Sequence, residues 1–162
     1  MKSAPAQAHS GPVKQGSGVF PATGAEPAAA YRAALDGLRY EYAPKTVACR
    51  VCLGPGFASH AGRIHGGLIA TLFDEVMGHA AYRSSGVPMV TTLLRVRFVE
   101  PMLPDVEHRM EVIVGVATGG VLDVTAELLG PGVMVAAASA KFRHLGRSQF
   151  TAQTRTHGEE ES

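Results

Sequence analysis

The chain has 162 residues, 46% of them hydrophobic and 18% charged, with fifteen basic residues against fourteen acidic for a net charge of +1. That composition excludes the disordered class, and the lack of a basic surplus excludes the electrostatic footprint of a general nucleic-acid or membrane-surface binder. No apolar run nears the roughly 20 residues that cross a bilayer, and the first 27 residues lack the apolar stretch of a secretory leader, so the cytoplasm is the expected compartment.

Residues 1–26 hold Pro5, Pro12 and Pro21 among scattered Gly, Ala and Ser. Such a segment cannot offset the entropy of ordering and is expected as a disordered tail. Pro27 then opens a run of helix formers, Ala28 to Leu35, closed by Gly37, which predicts a short helix. From Thr46 to Leu53 the residues alternate, with Val47, Cys49, Val51 and Leu53 on one face, which predicts a strand. Cys49 and Cys52 form a single C-x-x-C that would face opposite sides of it. With no second Cys pair or spaced His pair, they read as ordinary thiols rather than a zinc site.

Gly54 to Gly67 contains five glycines and Pro55 and is expected as a loop. Leu68 to Arg83 has neither alternation nor proline and is apolar on nearly every side, so a buried helix is predicted, ended by Ser84-Ser85-Gly86. Four strands are predicted after it: Met89 to Val99, Glu107 to Ala117, Val121 to Leu129 and Val133 to His144. Gly119-Gly120 and Gly130-Pro131-Gly132 are tight-turn signals that make the last three an antiparallel meander. One helix and a run of antiparallel strands define an α+β domain over residues 27–146, about 120 residues, with the sheet wrapped on the helix. Residues 147–162 are expected as a polar C-terminal tail.

One constellation suggests chemistry. Asp74 and Glu75 stand at the centre of the otherwise apolar helix, and a carboxylate among apolar groups is costly unless paired or used. His65-Gly66-Gly67 precedes the helix, so its first N–H groups can be reached without Cβ obstruction and can hold an oxyanion. A polarised carbonyl and a carboxylate acting as base or nucleophile are the minimal apparatus of acyl transfer. Asp74 lies eight residues beyond Gly66, roughly 12 Å along a helix axis. One carbonyl cannot touch both, so the helix start of one subunit is expected to face the carboxylate of another.

His65-Gly66-Gly67-Leu68-Ile69-Ala70-Thr71-Leu72-Phe73-Asp74 resembles the H-G-G-x-x-A-T-x-x-D signature of hotdog-fold acyl-CoA thioesterases of the phenylacetic-acid-degradation and thioesterase-superfamily-member group. Gly62, Thr91 and Pro101 at the two ends of a strand, and His144-Leu145-Gly146 extend the likeness over roughly residues 40 to 146. The resemblance implies a hotdog fold, a five-stranded antiparallel sheet around a central helix, in dimers joined edge to edge and often paired into tetramers. It implies an acyl-CoA thioester as substrate and no metal or redox cofactor. Carried over, Asp74 is the base or nucleophile and Gly66 gives the N–H that polarises the carbonyl from the other subunit. His65 supports the turn, Gly67 contacts substrate beside it, and Thr91 orients the attacking water. Where some relatives have Asn, this chain has Ser59, a weaker and shorter donor, with His60 as an alternative in the same loop.

Plainer readings accompany these. Glu75 is about 100° round the helix from Asp74 and reads as a rim or salt-bridge residue, with His79 as an i, i+4 partner. Arg95 and Arg97, like Lys141 and Arg143, read as a solvated outer face or as contacts for nucleotide phosphates. Phe57, Phe73, Met77 and Met89 read equally as acyl-pocket liners or core. The alternative functions are a non-catalytic acyl-CoA-binding hotdog module and a hotdog hydratase or dehydratase.

Overall fold

The computed structural model describes residues 27–43, 46–59 and 61–144. The expectations for both tails and for His60 lie outside them. The elements in chain order are helix α1 (Pro27–Asp36), strands β1 (Arg39–Tyr42) and β2 (Thr46–Cys52), a 3₁₀ turn (Pro55–Phe57), helix α2 (Gly66–Ser85), and strands β3 (Met89–Phe98), β4 (Glu107–Val114), β5 (Val121–Gly130) and β6 (Val133–His144). All six strands form one sheet in the order β1-β2-β4-β5-β6-β3, every neighbouring pair antiparallel. The sixth strand, relative to the five expected, is β1. Its four residues, Arg39-Tyr40-Glu41-Tyr42, are too short to show a hydrophobic period, yet they pair with β2 from Arg39↔Arg50 to Tyr42↔Val47.

The turns follow the glycines. Gly119 and Gly120, with φ of 58° and 76°, are both left-handed, and the reciprocal bonds between Thr118 and Val121, 2.9 and 3.0 Å, close the hairpin whose twist suits the flanking strands. β4 stops at Val114, short of the expected Ala117, although the next residue still touches β5: the Gly115 N–H donates to Asp123 O at 2.8 Å. A Cβ at Gly115 would lie 2.9 Å from that oxygen.

α2 lies across one face of the sheet. Its buried residues are Leu68, Ile69, Leu72, Phe73, Val76, Met77, Ala80 and Ala81, a single stripe recurring every three to four positions. The stripe packs on Val47, Cys49 and Val51 of β2, Met110 and Val112 of β4, Leu122, Val124, Ala126 and Leu128 of β5, and Ala138, Ala140 and Phe142 of β6. Phe73 and Met77, two of the four candidate pocket liners, are fully buried core, and Phe57 and Met89 are packed against it. The helix is therefore not enclosed on every side, as its composition had suggested. One sheet covers one face, and Asp74, Glu75, Tyr82 and Arg83 are exposed on the other. Among the described residues no helix is long and apolar enough to cross a membrane.

Two outcomes follow from this packing. Phe73→Ala should lower unfolding free energy by about 3–5 kcal/mol, read from denaturant melts; a loss under about 1 kcal/mol would mean the helix does not anchor the core. His108, 2% exposed on β4, donates from Nδ1 to Val106 O at 2.8 Å, and burial pushes its imidazole below the usual histidine range. The unfolded chain then takes up the proton first, so this contribution is complete above about pH 6.5 and is lost as pH falls below it. Wild type should lose more stability between pH 7.5 and 5 than His108→Asn; parallel profiles would refute the assignment.

Candidate active site

The start of α2 is fixed by His65. Its Nδ1 accepts the Gly67 N–H at 2.9 Å, an N-cap bond that requires the unprotonated nitrogen and leaves any ring proton on Nε2. Of the remaining first-turn donors, Leu68 N and Ile69 N reach His65 O at 3.0 and 3.2 Å. Among the described residues only Gly66 N–H has no acceptor. The expectation of several free amides at this turn is thereby corrected to one, and Gly67, placed among the substrate-binding residues, has its N–H committed to His65. What Gly67 still offers is a bare Cα: a Cβ there would lie 3.1 Å from His65 Nδ1.

Asp74 is exposed near the middle of α2, and its Oδ1 accepts the Thr91 hydroxyl at 2.7 Å. Strand parity alone would not give this contact. Leu94, Val96 and Phe98 pair with Ala140, Ala138 and Ala136 on the helix side of the sheet, so simple alternation sends Thr91 outward with Arg95 and Arg97. A one-residue irregularity between Thr91 and Leu93 restores Thr91 to the register of buried Phe142 and turns it toward the helix. Thr92, the extra residue, bonds Lys141 O at 3.1 Å.

Glu75, next to Asp74 in sequence, is exposed as well. His79, which helical spacing offers it as a partner, instead holds the Tyr42 hydroxyl at 3.0 Å and packs tilted against Tyr40 at 4.4 Å. These residues belong to β1, at the opposite edge of the sheet from β3. Burial first, and then the charges of Glu75 and Asp74, raise the Tyr31 phenol above its usual range. Lys141 is paired with Asp123 at 2.6 Å, and Arg95, Arg97 and Arg143 are exposed.

The loop before α2 is pinned by the Ala58↔Ile64 bridge and by Ser59 N to Arg63 O, 2.7 Å, around Gly62 at φ 67°. Ser59 is half-buried, and its hydroxyl has no hydrogen-bond partner among the described residues. Phe98 is a neighbour that sequence reasoning missed. Its ring stands over Gly66, where a Cβ would lie 3.3 Å from Cζ, and it is 53% exposed. An apolar residue in step with the inward positions of its strand, but at the strand's end, was the available signal.

No group of three or more His, Cys, Asp or Glu side chains among the described residues could hold a metal. Cys49 is buried and Cys52 exposed, and burial pushes the Cys49 thiol up to about 11, away from redox reactivity.

Comparison with known proteins meets this geometry. The zebrafish thioesterase superfamily member 2 structure superposes with a TM-score of 0.64 at 22% identity, covering 70% of this chain and 85% of that one. The Escherichia coli PaaI protein of the phenylacetic acid degradation operon gives 0.65 at 17%, covering 73% and 85%. A Streptococcus mutans protein bound to acetyl-CoA gives 0.62 at 18%, covering 67% and 89%. At such identities the likeness establishes the fold, and the fold is the hotdog fold. The family model that matches is the thioesterase superfamily, over residues 61–129, and this bears out the resemblance carried by the His65 to Asp74 decapeptide. No curated protein matches the chain in sequence.

His65→Ala should cost about 1 kcal/mol in denaturant unfolding through the lost cap. His65→Asn, which can accept the same N–H, should recover most of that loss; an equal loss in both variants would remove the capping role.

Proposed function

We propose that this protein is an acyl-CoA thioesterase that hydrolyses a small or medium acyl-CoA to the free acid and CoA, at a site shared between two copies. The observation that carries this reading is the paired state of the α2 donors and carboxylate. Gly66 N–H is the uncommitted amide of the first turn, and Asp74 is an exposed carboxylate already oriented by Thr91.

The two lie roughly 12 Å apart along one helix, so the thioester is bound by Gly66 of one subunit and attacked from Asp74 of the other. Antiparallel pairing of two α2 helices brings those ends together. Gly67, Ala70 and Thr71, none of them buried except in part, keep the outer face of α2 low enough for a second helix. β3 has β6 as its sole partner in the sheet, and its other edge is open to a second β3.

In this reading Gly66 N–H stabilises the oxyanion that forms as the carbonyl is attacked. Asp74 either takes a proton from water as it adds to the carbonyl carbon or adds itself, forming an acyl-Asp that water then opens. Either way a C–O bond forms, the C–S bond breaks, and the thiolate leaves and is protonated, so one water is consumed per thioester. Thr91 fixes the Asp74 rotamer and offers its lone pairs to the water. His65 holds the turn, Ser59 donates to the substrate from the preceding loop, and His60 is a further polar group of that loop.

Release of free thiol from a panel of acyl-CoAs tests this. Wild type should turn over at least one of them, and Asp74→Ala, folded and in the same oligomeric state, should fall by about 100-fold or more. Specific activity should also collapse on dilution to the monomer. Binding without release by wild type would favour a non-catalytic acyl-CoA-binding module, and full activity in Asp74→Ala or in the monomer would overturn the shared-site reading.

A further inference from the structure

On the side of α2 away from Asp74, the structure holds a cavity of about 870 Å³, within the range that encloses small ligands. It opens between the last turns of α2, the end of β1 and the β2 and β4 strands, and is walled by Tyr42, Thr46, Arg83, Ser84, Val114 and Val116. Neither Asp74 nor Thr91 nor the His65–Gly67 turn lines it. Arg83 lies nine residues beyond Asp74, roughly 14 Å along the axis, and it contacts β1, whereas Asp74 bonds β3 at the opposite sheet edge.

Two properties of the wall point to a ligand. The Arg83 guanidinium sits 4.0 Å above the centroid of the Tyr42 ring. Stacking uses the face of the guanidinium and leaves its in-plane N–H donors for a planar acceptor. Among the described residues no carboxylate or carbonyl takes those donors, while Arg50, Arg109 and Lys141 are each ion-paired. Arg95 and Arg97 also lack acidic partners, but they stand on the outer sheet surface. Thr46 and Ser84 bring two hydroxyls to the same cavity, neither with a side-chain hydrogen bond among the described residues. The Tyr42 ring is itself fixed, by its hydroxyl on His79 at 3.0 Å and by Tyr40 stacked at 6.2 Å.

The second property is apolar. Val116 is 87% exposed and Tyr42 48%, and with Val114 they offer wettable apolar surface next to the cation. An uncompensated guanidinium, two free hydroxyls and an apolar wall match an anion carried on an apolar body.

We propose that the Tyr42–Arg83 cavity is a second ligand site, distinct from the Asp74 site, that takes a small organic anion with a carboxylate or phosphate head and an apolar tail. The head lies in the plane of the guanidinium within reach of Thr46 and Ser84, and the tail lies along Tyr42, Val114 and Val116. The proposal stands whether or not the protein hydrolyses thioesters.

The chain has four tyrosines and no tryptophan, so its intrinsic emission is the sum of four tyrosines, of which Tyr42 lines the cavity; Tyr31→Phe and Tyr82→Phe remove the contribution of the two outside the Tyr40–Tyr42 pair. Hexanoate, hexyl phosphate, hexanol and hexylamine are titrated into the full chain, followed by tyrosine fluorescence and by NMR. At least one of the two anions should saturate with Kd on the order of 1 mM or tighter, at least tenfold tighter than hexanol or hexylamine. Which anion binds better separates a free carboxylic acid from a phosphorylated compound as the natural source. Arg83→Gln should weaken the anion at least tenfold, and Asp74→Asn should leave it unchanged. Thr46→Val, which preserves a strand former, should weaken it measurably and serves if Arg83→Gln does not fold. No saturation by either anion up to about 20 mM, no preference over hexanol, unaltered binding in Arg83→Gln and Thr46→Val, or loss of binding in Asp74→Asn would each overturn the proposal.

Discussion

A single sheet can cover only one side of a helix, and α2 is built around that limit. Its eight buried residues lie on the sheet side, and the chain uses them to close its core. The sheet supplies the complementary surface through small inward residues on β5 and β6, Ala126, Ala138 and Ala140, which leave room for Phe73 and Met77. The opposite side of α2 is where polar groups can stand without the cost of desolvation. Asp74 stands exposed there, and its orientation comes from one hydroxyl on β3. The same one-sidedness leaves half of a twenty-residue helix without cover, which is the physical ground for expecting a second chain.

The N-terminal turn of α2 is governed by backbone accounting. A helix start exposes donors that must find acceptors, and a short loop with two consecutive glycines has few side chains to offer. His65 meets the need from both its ring and its carbonyl, satisfying three N–H groups with one residue. The leftover donor falls on Gly66, the residue whose lack of a side chain lets the Phe98 ring approach and any ligand reach the amide. The glycine pair thus divides its work: Gly67 accommodates the cap, and Gly66 leaves a donor free.

Much of this was legible in the sequence. α2, β2 and the four strands after it were found within one to three residues of their ends, because their periodicities are long and their breakers are Gly and Pro. The His65 to Asp74 motif names the candidate site, and helix arithmetic alone separates its two halves. Other features had no signal. β1 is four residues of mixed character, and only its pairing with β2 makes it a strand. Helical spacing allows His79 to pair with Glu75, but its ring bonds a tyrosine thirty-seven residues away instead. The number of free first-turn amides was overestimated because the ring of the residue before the helix was not counted as an acceptor.

Thr91 shows why parity and resemblance diverge. Reading the strand alone places it on the outer face with Arg95 and Arg97, and only the family likeness assigned it to the site. The structure reconciles the two through the irregularity at Thr92, which reverses the facing of everything before it. That single inserted residue decides which edge of the molecule Asp74 serves. With Thr91 turned inward, Asp74 is tied to β3, while His79 and Arg83 contact Tyr42 of β1. Side chains of one helix are thereby committed to opposite edges of one sheet. Among the described residues β3 keeps an unpaired edge, and the β1 edge carries the Arg83 cation.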